Sequence, residues 1–197
     1  MTEYTPLTYS PVVEGHGEVT ALPVLLRRIA EDCGGYLNVT RPIRLKRNEM
    51  LKESELVRAV LLAAMRAGQH GVVLILLDGD DDCPVELAKN VQSVASKAHI
   101  ECIIQVVVAV REYESLFLCS PSSLSSKGLV HKDFTSERDP EKIRGAKEET
   151  RRMLKSGVYK ETQDQASLTA QFSIEEGLKN CRWFRKLHKS VSEALEG

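Results

Sequence analysis

The segment Gly71 to Cys83 constrains this chain more than any other. Six apolar residues, Val72-Val73-Leu74-Ile75-Leu76-Leu77, run on without polar alternation, and Asp78-Gly79-Asp80-Asp81-Asp82 follows at once. A strand open to water on one face alternates apolar and polar residues, whereas a strand covered by helices on both faces does not. The run is also far too short for a bilayer, which needs roughly 20 residues. It therefore predicts a central strand of a parallel sheet with a cluster of carboxylates at its carboxyl end.

The rest of the first half fits that frame. Leu7 to Val13 reads as a first strand, with Pro11 tolerated only if the strand lies at an edge or is bulged there. Glu14-Gly15-His16-Gly17-Glu18 is a turn. Val19, Leu22, Leu26, Ile29 and Cys33 then recur at three- and four-residue steps, which predicts a helix with one buried stripe, closed by Gly34-Gly35. Tyr36 to Leu45 reads as a second strand followed by a basic, polar loop. A second helix follows Ser54 and closes at Gly68. Pro84 suits the first turn of a third helix, and Ile100 to Val110 is a fourth, almost wholly apolar strand. Strand alternating with helix predicts an α/β fold: a mostly parallel, four-stranded sheet flanked by helices. After a serine-rich loop, Ser120 to Ser126, the segments Ile143–Leu154, Ile174–Asn180 and Arg182–Leu195 look helical. The expected organisation is an α/β core over residues 1–119 and a C-terminal helical extension over 120–197, packed on the core as one structural unit.

With 197 residues, 42% hydrophobic and 28% charged, the chain is of ordinary globular make-up and long enough to bury one core. A formal net charge of -1 gives no whole-molecule attraction to nucleic acid or to anionic membrane. Met1 to Pro11 has neither a basic nor an apolar leader region, and no segment suits a membrane, so a cytoplasmic location is the expectation. Five cysteines without a C-x-x-C pair argue against a disulfide framework or a zinc knuckle.

In an open parallel sheet, ligands gather outside the carboxyl ends of the strands. Acids stand at three of the four: Glu14 and Glu18 after the first, Asp78, Asp80, Asp81 and Asp82 after the third, Glu112 and Glu114 after the fourth. Carboxylates held together raise one another's pKa unless a cation sits among them. Hard divalent ions such as Mg²⁺ or Mn²⁺ take such oxygens. Each cluster also has a plain reading: Glu14 and Glu18 favour a helix N-terminus, and the aspartates make a solvated loop. Other acidic-site folds fit less well. A haloacid-dehalogenase-type phosphatase carries its D-x-D after the first strand, and a receiver domain needs a Lys after a fifth. An EF-hand loop counted from Asp78 has Lys89 at its twelfth position where a Glu is required.

A Glu in a glycine-containing turn after strand one, with D-x-D after strand three, resembles the Toprim domain. Val13-Glu14-Gly15-His16-Gly17-Glu18 is similar to the opening motif of OLD-type Toprim nucleases. Together with Leu76 to Pro84, Arg111 to Leu118, Gly145-Ala146-Lys147 and Tyr159 through Gln165 to Thr169, it resembles a bacterial Toprim-like family of unknown function, often encoded beside ATPases in settings that suggest anti-phage defence. The resemblance implies a metal-dependent phosphodiester hydrolase acting on DNA or RNA, with an AAA- or ABC-type ATPase as partner. Glu14 is then an acid/base or metal ligand, Asp78 and Asp80 are ligands of Mg²⁺ or Mn²⁺, and Glu18 with Glu114 completes a second metal position. Asp80 with Asp82 is also a D-x-D, so the ligand pair can lie one step later.

A polyanion needs cations as well as metal. Two basic segments offer them: Arg44, Lys46 and Arg47 near strand two, and Arg182, Arg185 and Lys186 near the C-terminus, with Trp183 and Phe184 interleaved. The plain reading of the second is a solvated helix face with its aromatics in the core. Arg111 is either a phosphate contact or a structural ion pair, Lys147 a phosphate contact or a surface lysine, and His16 a proton-transfer group or a turn residue. The rival to an enzyme is a non-catalytic metal-binding or sensing subunit of an ATPase-containing complex.

Overall fold

A computed structural model describes residues 6–132, 134 and 139–196. Five parallel strands form one sheet: β1 (Thr8–Val13), β2 (Asn38–Val39), β3 (Ile43–Arg44), β4 (Val72–Asp78) and β5 (Ile103–Ala109). Their order is β2-β1-β4-β5, with β3 also paired to β1. Among the described residues, ten α-helices follow or separate the strands: α1 (Glu18–Asp32) after β1, α2 (Arg47–Met50) and α3 (Glu53–Ala67) after β3, and α4 (Pro84–Ala95) after β4. Beyond β5 come α5 (Ser115–Leu118), α6 (Pro121–Ser126), α7 (Ala146–Met153), α8 (Glu161–Gln171), α9 (Ile174–Asn180) and α10 (Arg182–Glu196).

The unbroken apolar run of β4 has the expected cause. Val72, Leu74 and Leu76 face one core, shared with α1, α8 and α10, and Val73, Ile75 and Leu77 face a second, shared with α3 and α4. Both faces of the strand are thus dry. The helices of the second half complete the first of these cores: Leu168, Phe172, Trp183, Phe184, Leu187 and Val191 pack in it with Tyr9 and Val107. Among the described residues, no helix is long and apolar enough to cross a membrane.

Three expectations need correction. β1 is interior rather than an edge strand, and it is not bulged. Leu7, Tyr9 and Val13 accept backbone bonds from Asn38, Thr40 and Leu45, so odd-numbered residues of β1 turn their peptide groups toward β2 and β3. Pro11 is odd, and its missing N–H falls where that neighbour is interrupted between Val39 and Ile43. The same interruption splits the expected second strand in two. Pro42 within it has no N–H to give a ladder. The serine-rich segment is a short helix, α6: Pro121 starts it, and the Ser120, Ser123 and Ser126 hydroxyls donate to backbone carbonyls three or four residues back. A further helix, α8, stands where no element was expected.

Candidate functional site

The carboxyl ends of β1, β4 and β5 bring the predicted acids to one side of the sheet. Two close approaches shape the place. Gly79 N–H donates to Ala109 O and Asp80 N–H to Arg111 O, both at 2.9 Å, so the turn after β4 is laced to the turn after β5. A Cβ on Gly79 would lie 2.9 Å from Ala109 O, which is why the residue between the two aspartates is glycine. Asp80 and Arg111 both sit at positive φ, 46° and 64°, a strained conformation for residues with side chains. The lacing carries Tyr113 N–H to 2.9 Å from Asp78 Oδ1, which pins the first aspartate inward.

The acids divide into an inner and an outer group. The inner group is Glu18, Asp78 and Glu114. Glu114 is fully buried; its Oε1 accepts from Tyr159 Oη at 2.8 Å and Gln165 Nε2 at 3.2 Å, and its Oε2 has no partner. Gln165 Nε2 also donates to Glu18 Oε1 at 3.1 Å, so one amide bridges carboxylates from two different strand ends. Lys147, at the start of α7, reaches Glu161 Oε1 at 2.9 Å, while its backbone N–H donates to Glu112 Oε2 at 3.0 Å.

Burial pushes all three inner acids toward the protonated state. Glu114 rises to about 7, chiefly by loss of water, against the pull of Lys147 and the Tyr159 hydroxyl. Asp78 is held well above the usual carboxylate range by burial, then by the charges of Glu18 and Glu114, with Lys147 opposing. Glu18 is raised by burial against its bonds to Gln165 and the Gly15 backbone. The Lys147 ammonium is raised despite its burial, because Glu114, Glu161 and Asp78 surround it.

The outer group is Glu14, Asp80 and Asp82, gathered on one guanidinium. Arg47 Nη1 lies 3.4 Å from Glu14 Oε2 and 3.6 Å from Asp80 Oδ2, and Nη2 lies 2.6 Å from Asp82 Oδ2. Nη1 also donates to the carbonyl of Asp78. Burial raises Glu14, with Arg47 opposing and Asp80 adding to the rise. Asp80 and Asp82 turn outward and are more than half exposed, whereas Asp78 turns toward Glu18 and Glu114. Of the two D-x-D pairs, only the one beginning at Asp78 reaches both groups.

The oxygen-only donor set of the inner group, with one buried and unpartnered carboxylate oxygen, suits a hard divalent cation. Among the described residues, however, no three Asp, Glu, His or Cys side chains are drawn together as a ligating group. Gln165 bridges two of the inner carboxylates, with the Lys147 charge nearby, and Arg47 holds the outer ones.

The cations proposed for nucleic acid are distributed unevenly. Arg47 is turned into the outer acids, and Arg111 lies 2.7 Å from Asp81, which Arg144 also approaches at 3.0 Å. Arg44 and Lys46 lie beside Arg47, with Lys46 exposed and Arg44 part-buried. Arg182 pairs with the buried Glu141 at 2.7 Å, Arg185 donates to the Leu178 and Lys179 carbonyls, and Lys186 lies between α10 and α4. Arg182 and Lys186 line the groove at the β5 edge, Arg185 lies against α9, and none of the three pairs with an acid of the centre. Trp183 and Phe184 are core residues, Trp183 Nε1 donating to Ser115 Oγ at 2.9 Å. Beside the inner acids, a cavity of about 420 Å³ is lined by His16, Lys147, Arg151 and Tyr159 among others.

Gln165 and Tyr159 enter the sequence reading only within the stretch that carries the family resemblance and not as site residues. Their signal is a polar residue in a stretch with few apolar ones, and a buried role for it shows only once α8 packs on α1.

A family model described as a domain of unknown function, DUF4276, matches residues 13–192. No curated protein and no solved structure matches the chain.

Proposed function

The chain belongs to the DUF4276 family, whose description assigns no function, and we propose that it is a metal-dependent phosphodiester hydrolase acting on nucleic acid, the activity implied by the resemblance of its Glu14–Glu18 turn and Asp78–Asp82 loop to OLD-type Toprim nucleases. The observation that carries this reading is the inner group: Glu18, Asp78 and Glu114 come from three strand ends, and burial raises the pKa of each. Carboxylates gathered where burial disfavours their charge are what a cation-binding centre offers.

Glu18, Asp78 and Glu114 would hold Mg²⁺ or Mn²⁺, with Glu14 and Asp80 at the outer side. A bound divalent ion supplies Lewis-acid activation of water and neutralises charge on the transferring phosphate. The chain's own residues do the rest. Tyr159 and Gln165 fix the orientation of Glu114 through its Oε1 and leave Oε2 free. Tyr113 N–H fixes Asp78. Lys147 is the cation nearest the inner acids and would meet a phosphate oxygen there. Glu14, with a raised pKa at the rim, is placed to hold or accept a proton.

A second reading is favoured by a specific observation: Arg47 already pairs with Glu14 and Asp82, and the Lys147 charge stands among those of Glu114 and Asp78. On this reading the chain is a non-catalytic metal-binding or sensing subunit, docking on an ATPase. Incubation with Mn²⁺ and either DNA or RNA separates the two. The first predicts cleavage that is lost in Asp78→Asn and Glu14→Ala; the second predicts none, with or without a co-expressed ATPase.

A further inference from the structure

β5 is the outermost strand on its side of the sheet. Ile103 N–H donates to Gly71 O at 3.2 Å, and Ala109 O accepts from Gly79 N–H at 2.9 Å. In a parallel ladder a paired residue turns both its peptide groups to the same neighbour, so Ile103, Gln105, Val107 and Ala109 all face β4. Ile104, Val106 and Val108 therefore point their N–H and C=O groups away from the sheet, and no strand among the described residues pairs with them there.

This edge lies in a groove between α4 and α10. Two adjoining cavities, about 410 and 430 Å³, share Ala88, Lys89 and Lys186, and Val106 and Val108 line them along the strand. The charged residues of the lining are Lys89, Arg182 and Lys186, all cations. Arg182 is paired to Glu141 and Lys89 to Glu86, whereas Lys186 is exposed with no ion-pair partner among the described residues. Val106 and Val108 are only 7% and 4% exposed. Backbone groups that poor in water are costly to leave unpaired.

We propose that the β5 edge receives an extended segment of a partner protein as an added strand, one that carries acidic side chains among apolar ones. The free peptide groups of Ile104, Val106 and Val108 supply main-chain bonds, the valine-lined walls take apolar side chains, and Lys186 and Lys89 select for acid. The site lies on the strand edge away from β4 and is independent of the hydrolase reading.

The test uses the full chain and labelled, end-capped peptides of about six residues that alternate Val with Glu or Val with Lys. Fluorescence anisotropy should show saturable binding of the Val–Glu peptide that weakens with salt, and none of the Val–Lys peptide. Val106→Pro removes an outward N–H that the β4 ladder does not use, so the thermal midpoint should move little while binding falls about tenfold. Lys186→Glu, an exchange at an exposed position, should abolish Val–Glu binding and admit the Val–Lys peptide, and it decides the matter if Val106→Pro does not fold. The proposal is overturned if no peptide binds up to about 1 mM, in which case the lysines guard the edge against pairing. It is equally overturned if both variants bind as the parent does, or if light scattering shows a dimer that Val106→Pro dissolves, since the occupant is then a second copy.

Discussion

Replacing Glu114 by glutamine tests the electrostatic account of the inner site without recourse to any activity. Glu114 is 0% exposed, and its carboxyl rises from 4.5 to about 7 on folding. An acid with a higher pKa folded than unfolded takes up a proton on folding. Its stabilising contribution is present in full below pH 4.5 and is lost as the pH climbs through about 7. At about 1.4 kcal/mol per pH unit between those two values, ionised Glu114 costs the fold about 3 kcal/mol near pH 8. Glutamine keeps the shape and cannot ionise. Its amide N–H₂ takes the place of the unpartnered Oε2, which costs about 1–2 kcal/mol for an unpaired buried donor. The variant should therefore be about 1–2 kcal/mol more stable than the parent near pH 8 and less stable by a similar amount near pH 4. Urea unfolding at several pH values in the presence of a chelator gives the difference directly, with the contributions of carboxylates outside the inner group cancelling between the two proteins. A difference that does not change with pH, or that favours the parent as the pH rises, would refute the reasoning. Mn²⁺ added near pH 8 should then stabilise the parent and not the variant, provided that the inner acids bind the ion.

Other changes probe other links. Gln165→Leu removes the amide that bridges Glu18 and Glu114 and should cost about 2–4 kcal/mol at neutral pH, less in acid, because bonds to charged groups are the stronger ones; equilibrium unfolding reads it. Arg47→Ala leaves Glu14, Asp80 and Asp82 without their shared guanidinium, and Mn²⁺ affinity by titration calorimetry should rise about tenfold; an unchanged affinity would mean that the outer acids take no part in holding the ion. Phe184→Ala empties a fully buried position that meets Phe172 edge-on at 5.3 Å, and thermal unfolding should show a loss of about 3–5 kcal/mol.

Much of this architecture is written in local pattern. The unbroken run of β4 announced two covered faces, and glycines and Pro84 marked where strands gave way to helices, because hydrophobic period and turn chemistry act over a few residues. The acids after β1, β4 and β5 were legible for the same reason, since topology alone sends the carboxyl ends of parallel strands to one side. Pro11 was misjudged because its tolerance depends on which neighbour its missing N–H faces, and that is a property of the pairing. α8 went unforeseen because its apolar stripe is thin: Gln165 and Thr169 are buried by polar bonds and not by hydrophobic period.

Charge shows the division most plainly. Sequence alone could list the cations Arg47, Arg111, Lys147 and Arg182 as candidates for a polyanion. Only the tertiary structure decided that Arg47, Arg111 and Arg182 are committed to carboxylates of their own chain, and that Lys147 stands at the inner acids. Secondary structure follows from neighbours along the chain, whereas a Coulomb partner is chosen by distance in space, and residues as far apart as Gln165 and Glu18 acquire that distance only when the sheet and its helices close on one another.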